Sequence, residues 1–100
     1  MILHLVSSAS ALTTTQAELI QRSDGLVLLG DGVLCLFNIT NEQLAQLSRS
    51  TRLYVLKDDI TARGLSHQAD RLSTMPTPPQ IITYTEFVEL TLQYTKTLSW

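Results

Sequence analysis

The side chains that could do chemistry in this sequence are few, and the most reactive of them is a single cysteine. Cys35 would act as a persulfide carrier or redox thiol only as the thiolate, which a nearby cation or a helix N-terminus stabilises. Its neighbours are Leu34 and Leu36, and no basic residue lies close to it in the sequence. Because apolar surroundings disfavour the thiolate, we expect Cys35 to be a small buried side chain. We therefore predict no catalytic residue, and Cys35 is the one candidate for such a role.

One histidine and three aspartates are the candidates for acid–base chemistry. His4 lies in an aliphatic run, where a histidine is more often a satisfied core side chain than a proton-transfer group. Asp31 could bind a cation or act as a base, but an aspartate before a glycine usually forms the turn itself. Asp58, Asp59 and Arg63 fit a capped helix with an ion pair between residues four apart. The structural interpretation is therefore favoured for each group.

The sequence lacks the motifs that bind nucleotides or metals or that activate a serine. It contains no G-x-x-x-x-G-K-[ST] phosphate loop and no G-x-S-x-G nucleophile elbow. The turn Gly30-Asp31-Gly32 lacks the third glycine of a dinucleotide-binding fingerprint. With two histidines and one cysteine, a structural zinc site cannot be assembled from clustered Cys and His. We predict no cofactor and no metal site.

Length, charge and composition narrow the class of protein. The chain has 100 residues, of which 44% are hydrophobic, which suits one small globular domain over residues 1–100. Seven Lys and Arg against nine Asp and Glu argue against a surface that binds nucleic acid. No apolar run reaches about 18 residues, so we expect no membrane span. One cysteine excludes an internal disulfide and suits a reducing cytosol, so we expect a cytoplasmic protein.

Strands and helices are predicted to alternate along the chain. Strands are predicted at residues 2–6, 26–29, 52–56 and 80–82 from their aliphatic and β-branched content. Helices are predicted after the capping signals at 15–18, 40–43 and 83–86, with a shorter helix at 58–63. This order predicts a small single-domain α/β fold, flavodoxin-like, with a mostly parallel sheet and helices on both faces.

Two turns and a loop complete this prediction. Asp58 or Asp59 is expected to cap the short helix, and Gly64 to end it in a left-handed conformation. Residues 66–79 are polar and carry all three prolines, which predicts a mobile loop.

The strand at residues 26–29 is the one around which the other elements are arranged. Four aliphatic residues in a row predict a strand that is covered on both faces. Gly30-Asp31-Gly32 then breaks it at the carboxyl edge of the sheet, where α/β folds build their sites. A small-molecule site at this edge would be lined by Ser7, Ser8 and Asp31.

Apolar residues outside this regular pattern are candidates for an interface. Residues 33–37 continue apolar after the turn, and periodicity does not distinguish a strand from a buried helical turn there. We favour a short helix that packs into an interface. Trp100 follows a polar run, so it either folds back on the core or fills a pocket on a partner. The interface candidates are Val33, Leu34, Leu36, Phe37 and Trp100.

Several of these residues together resemble the TusB/DsrH family. The resemblance covers nearly the whole chain. Its most specific parts are Ala-Arg-Gly-Leu at 62–65, Tyr-Thr-x-Phe-Val-x-Leu-Thr at 84–91, and Trp100. The remaining residues that carry it are Leu3-His4-Leu5, Asp31-Gly32-Val33, Tyr54-Val55-Leu56, Asp59 and Gln68.

The resemblance implies a DsrE/F/H-like domain that serves as a structural, cytoplasmic subunit of a sulfur relay. Such a subunit assembles with TusC-like and TusD-like paralogues into a heterohexamer. The complex passes persulfide sulfur from a TusA-like carrier, through a cysteine of the TusD-like subunit, to a TusE-like carrier. The sulfur ends as 2-thiouridine at the wobble position of tRNA, and the structural subunit itself contacts no nucleic acid.

This sequence also departs from the pattern of the family. In the DsrH branch, which is tied to sulfur oxidation, a cysteine in the first helix has been implicated, and residues 15–22 contain none. Cys35 lies where the family often has a small residue, and the loop at 73–79 is longer than usual. Three alternatives stay open: a sulfurtransferase or persulfide carrier that uses Cys35, a DsrH-like subunit in sulfur oxidation, and a small-molecule binder.

Overall fold

A five-stranded, fully parallel sheet is the centre of the computed structural model, which describes residues 2–7, 24–34, 52–74 and 78–99. The strands are β1 (Ile2–Val6), β2 (Gly25–Leu28), β3 (Arg52–Leu56), β4 (Gln80–Ile82) and β5 (Lys96–Ser99). Their order across the sheet is β4-β3-β2-β1-β5. The chain therefore steps one way from β1 to β4 and then returns to place β5 beside β1.

Three α-helices and one 3₁₀ helix are described beside this sheet. The 3₁₀ helix (Gly30–Leu34) follows β2, and α1 (Lys57–Ala62) and α2 (Ser66–Leu72) join β3 to β4. The third helix, α3 (Tyr84–Gln93), joins β4 to β5. None of the described helices is long and apolar enough to cross a bilayer. The predicted helices at residues 15–22 and after residue 43 lie outside the described residues.

Each face of the sheet has its own core cluster, because successive side chains of a strand point to opposite faces. The 3₁₀ helix, α1 and α2 contribute to the first cluster, and α3 contributes to the second. Right-handed crossovers explain this division, since the return from β4 to β5 runs opposite to the earlier steps. The first core cluster is Val6, Leu26, Leu28, Val33, Leu53, Val55, Ile60 and Ala69. The second core cluster is Leu3, Val27, Tyr54, Leu56, Ile82, Leu90 and Tyr94.

The predicted fold class is confirmed, and four of the five strands were predicted. All four residues of β2 are buried, as its aliphatic run predicts, although the strand lies one residue earlier than 26–29. β5 was missed, because its residues are exposed throughout and carry little hydrophobic signal. This segment is held as a strand by parallel pairing with β1 at the edge of the sheet. A polar sequence can therefore form a strand when a neighbour supplies the hydrogen bonds.

The helix ends agree only partly with the sequence signals. The capping box at the start of α3 is confirmed: Thr83 Oγ1 accepts from the Glu86 backbone N–H at 3.2 Å, and Glu86 Oε1 accepts from the Thr83 backbone N–H at 3.0 Å. Gly64 has a φ of 66°, as its predicted role requires. The predicted aspartate cap of α1 is wrong, because this helix begins directly after β3 and has no side-chain cap.

The predicted loop at residues 66–79 is wrong over its first half, where α2 forms. Ala69 is buried in the first core cluster, and Leu65 and Leu72 pack against that cluster. These three apolar residues are four and three apart, which is helical spacing. The prediction gave more weight to the prolines that follow, which favour a loop, than to this short helical pattern.

Candidate functional site

The turn after β2 packs closely on the end of β1, at the carboxyl edge of the sheet. The Leu29 N–H donates to the Val6 carbonyl at 3.1 Å, and the Gly32 N–H donates to the Leu29 carbonyl at 2.9 Å. A side chain at Gly32 would collide with the carbonyl of Val6, so only glycine fits at this position. Gly30 has a φ of 55°, a left-handed conformation that also favours glycine. The geometry of this edge is therefore set by backbone contacts.

Three charged side chains and one backbone N–H at this edge form what we call the carboxyl-edge cluster: the side chains of Asp31, Asp59 and Arg63, and the N–H of Gly30. Arg63 donates to Asp31 Oδ1 from Nη2 at 2.8 Å and from Nε at 3.2 Å. Arg63 Nη1 donates to the backbone carbonyl of Asp59 at 3.2 Å and lies 3.5 Å from Asp59 Oδ1. The Gly30 N–H donates to Asp59 Oδ2 at 2.8 Å. The cluster thus ties the 3₁₀ helix to α1.

The partners within this cluster limit the chemistry available to it. The Arg63 guanidinium already faces two carboxylates, so it is poorly placed to attract a further anion. The Asp31 side chain is 67% exposed, but its Oδ1 already accepts two hydrogen bonds from the Arg63 guanidinium. The predicted ion pair between Asp59 and Arg63, four residues apart, is confirmed. The arrangement resembles a structural clamp more than a reaction centre.

Sites for metals or small molecules gain little support from the described residues. These residues contain no group of three or more His, Cys, Asp or Glu side chains arranged to hold a metal ion. Of the predicted small-molecule site, Ser7 and Asp31 lie at the carboxyl edge and are exposed, whereas Ser8 lies outside the described residues. The connections after β3 and β4 leave on opposite faces, which marks the usual binding crevice of such sheets. At that crevice the Thr83 side chain is already used in the capping box.

His4 belongs to a second polar pair, and it is buried. His4 Nε2 lies 2.9 Å from Asp24 Oδ2, and each residue is 2% exposed. Asp24 Oδ1 also accepts from the Ile2 N–H at 2.9 Å, so this carboxylate joins the starts of β1 and β2. This geometry agrees with the interpretation of His4 as a satisfied core side chain. The sequence did not lead us to Asp24 as a candidate. The signal that could have identified it is a polar residue directly before a fully buried strand.

Tyr94 carries a buried hydroxyl that has no hydrogen-bond partner in the described part of the chain. Burial raises the pKa of the Tyr94 phenol above its ordinary value, nearby Tyr54 raises it further, and Arg52 opposes the change. A side chain at Gly25 would collide with the Tyr94 ring, so the small residue at the start of β2 makes room for this phenol. The group lies at the amino edge of the sheet, away from the carboxyl-edge cluster.

Of the predicted interface residues, the structure describes only Val33 and Leu34. Val33 is fully buried in the first core cluster, and Leu34 is partly buried. Of these two residues, only Leu34 therefore has solvent-accessible surface. Cys35, Leu36, Phe37 and Trp100 lie outside the described residues. On α3 the structure shows three large exposed apolar residues, Tyr84, Val88 and Leu92.

Comparison with known proteins identifies the family. The sequence model of the DsrH like protein family matches residues 7–97. The chain belongs to the DsrH-like family. This DsrH-like chain is also 36% identical over 77 residues to the protein TusB of Yersinia pestis (strain Pestoides F) and to the protein TusB of Yersinia pseudotuberculosis serotype O:1b (strain IP 31758). These 77 residues are 77% of this chain and 75% of each relative. The resemblance inferred from the sequence is confirmed at the level of the family.

Proposed function

We propose that this DsrH-like chain is a structural subunit of a sulfur-relay complex that resembles TusBCD. In this role it assembles with TusC-like and TusD-like paralogues in the cytoplasm. The complex passes persulfide sulfur between TusA-like and TusE-like carriers toward 2-thiolation of the wobble uridine of tRNA. The observation that carries this proposal is the 36% identity to proteins named TusB over about three quarters of both chains.

The polar groups of the described residues support a structural role over a catalytic one. The charged side chains of the carboxyl-edge cluster bond to one another, and His4 is buried against Asp24. Cys35, the only cysteine of the sequence, has Leu34 and Leu36 as neighbours and no basic residue close to it in the sequence. A relay needs an accessible thiolate at each transfer, and apolar neighbours disfavour the thiolate, so we assign the reactive sulfur to another subunit.

A test in cells separates a structural subunit from a sulfur carrier. In a strain whose own copy of this gene is deleted, we expect the Cys35→Ser variant to restore 2-thiouridine in tRNA as well as the unchanged chain does. The measurement is mass spectrometry of digested tRNA, with immunoblots to match the protein levels. The matched control replaces the relay cysteine of the TusD-like subunit, which should abolish the modification. Loss of 2-thiouridine with Cys35→Ser at normal protein level would contradict the structural role.

Two alternatives predict different results, one for the purified chain and one for the deletion strain. If Cys35 carries persulfide, incubation of the purified chain with a sulfane-sulfur donor adds the mass of one sulfur to that residue. If the chain serves sulfur oxidation instead, deleting its gene leaves tRNA thiolation unchanged and impairs the oxidation of reduced sulfur compounds.

A further inference from the structure

The outer side of α3 carries a row of exposed apolar side chains, which we call the α3 stripe: Tyr84, Val88 and Leu92. They are 57%, 51% and 82% exposed. Residues four apart lie one above the other on a helix, so these three form a line along its axis. Single exposed apolar residues are normal on protein surfaces, whereas an aligned row of them is typical of a contact surface.

The sheet beneath α3 does not account for this stripe. The core face of the helix consists of Leu90, which is buried, and Phe87, which packs against the second core cluster. At about 100° per residue, the stripe lies beside that face and continues it around the helix. The apolar side of α3 is therefore wider than the surface that its own sheet covers.

The charges on α3 indicate what could cover the stripe. The helix contains Glu86 and Glu89 and no Lys or Arg. The carboxylate of Glu86 is occupied by the capping box, whereas Glu89 makes no ion pair or side-chain hydrogen bond within the described residues. Glu89 also lies on the border of the stripe, between Val88 and the polar side of the helix. A fitting partner therefore presents apolar side chains with a cation beside them.

A symmetric pairing of two α3 helices does not meet that requirement. An antiparallel pairing of two α3 helices across Val88 would bring the two Glu89 carboxylates near each other. In no orientation does α3 of a second copy offer a Lys or Arg to pair with them. Like charges placed together at an interface disfavour that pairing, so the occupant is a different chain.

We propose that the α3 stripe docks an amphipathic helix of another subunit, whose apolar row is bordered by a Lys or Arg facing Glu89. This inference rests on the proposed function, because it takes the occupant from the other subunits of the same complex. Tyr84 supplies an aromatic anchor, and Val88 and Leu92 supply the aliphatic contacts along the row. The pairing is the helix-in-groove mode of recognition, in which side chains spaced three or four apart carry the contact.

The test measures binding of this chain to the purified complex of the TusC-like and TusD-like chains from the same genome. Isothermal titration gives the dissociation constant, and light scattering gives the mass of the assembly. Leu92→Glu should weaken binding about tenfold or more, because it places a charge in the apolar contact. The matched control is Gln93→Glu, which adds the same charge at the adjacent polar position and should stay within about twofold. Leu92→Ala serves as a milder second variant.

The charge on Glu89 is tested with the same assay. Glu89→Lys should weaken binding more than Glu89→Gln does, and the difference should shrink as salt is raised, because salt screens exposed charge pairs. Thermal unfolding of each variant alone should match that of the unchanged chain, since all these positions are exposed.

Each outcome of these measurements decides the question. Weaker binding with Leu92→Glu and unchanged binding with Gln93→Glu supports the α3 stripe as the docking surface. Equal binding of Leu92→Glu and the unchanged chain overturns the proposal that the α3 stripe is the docking surface, but it leaves the proposed function standing. Failure of the unchanged chain to bind overturns both. A homodimer of the unchanged chain that Leu92→Glu dissociates shows that the occupant is a second copy, and it overturns the proposal of a different subunit.

Discussion

The two sides of the sheet differ in how many of their notable side chains have partners within the described part of the chain. On the side of the first core cluster, Arg63 is paired within the chain with both Asp31 and Asp59. On the side of α3, the hydroxyl of Tyr94 has no hydrogen-bond partner among the described residues, and the α3 stripe lies open to solvent. The charged groups of the carboxyl-edge cluster are therefore satisfied within the chain, whereas the α3 side has one buried hydroxyl without a described partner and an exposed apolar row.

This difference shows where the function of the molecule is to be sought. A reaction centre usually holds polar groups whose partners are incomplete until substrate binds. The carboxyl-edge cluster lacks that property, since its guanidinium is shared between two carboxylates. An apolar surface left without a cover gains most from a protein partner. The comparison thus agrees with the proposed structural role.

The largest effect is expected from Gly32→Ala, which tests how rigidly the carboxyl edge is held. A Cβ at this position would meet the carbonyl of Val6, and neither backbone can move without breaking the neighbouring hydrogen bonds. We expect the free energy of unfolding to fall by about 3 kcal/mol, measured by urea denaturation. Gly30→Ala is the matched control: it has space for a Cβ and a positive φ, so it should lose only about 1 kcal/mol. Equal stability of the two variants would contradict the tight fit at Gly32.

A smaller loss is expected from Asp24→Ala, which removes the buried acceptor of His4 and of the Ile2 N–H. Both donors lose a hydrogen bond in a place that water reaches poorly, so the free energy of unfolding should fall by about 2 kcal/mol. Asp58→Ala is the control, since Asp58 is exposed and its loss should change stability by less than about 0.5 kcal/mol. If the two variants unfold at the same urea concentration, the buried pair does not stabilise the fold.

The elements that could be predicted from the sequence are those whose cause is local. The capping box needs only Thr83 and Glu86, three residues apart, and it is present. The burial of β2 follows from its own aliphatic run, because four such residues in a row favour a strand that is covered on both faces. These features, with the alternation of strands and helices, sufficed to predict the fold class.

The features that were missed depend on residues far away along the chain. Asp58 or Asp59 was expected to cap the short helix, but the Asp59 carboxylate accepts from the N–H of Gly30, which is 29 residues distant. β5 becomes a strand by pairing with β1 at the other end of the chain. The α3 stripe was also missed, because Tyr84, Val88 and Leu92 have the same spacing as core residues, and only the sheet decides which side is covered.

The smallest change in stability at neutral pH is expected from Tyr94→Phe, which tests the unsatisfied group on the α3 side. The substitution removes a buried hydroxyl that lacks a partner among the described residues, so the free energy of unfolding should change by less than about 1 kcal/mol. Tyr84→Phe is the matched control, because that hydroxyl belongs to an exposed side chain.

The same variant should differ more clearly in alkaline solution. Burial raises the pKa of Tyr94 in the folded state, while the unfolded chain releases the proton near the ordinary value of 10.0. The unfolded state therefore binds fewer protons above that pH, and the free energy of unfolding falls as pH rises toward the folded pKa. Tyr94→Phe should lose less stability than the unchanged chain between about pH 9 and about pH 11, whereas Tyr84→Phe should follow the unchanged chain. Parallel losses in all three would mean that the Tyr94 phenol ionises as freely in the folded protein as in the unfolded one, and the contrast between the two sides of the sheet would then rest on the α3 stripe alone.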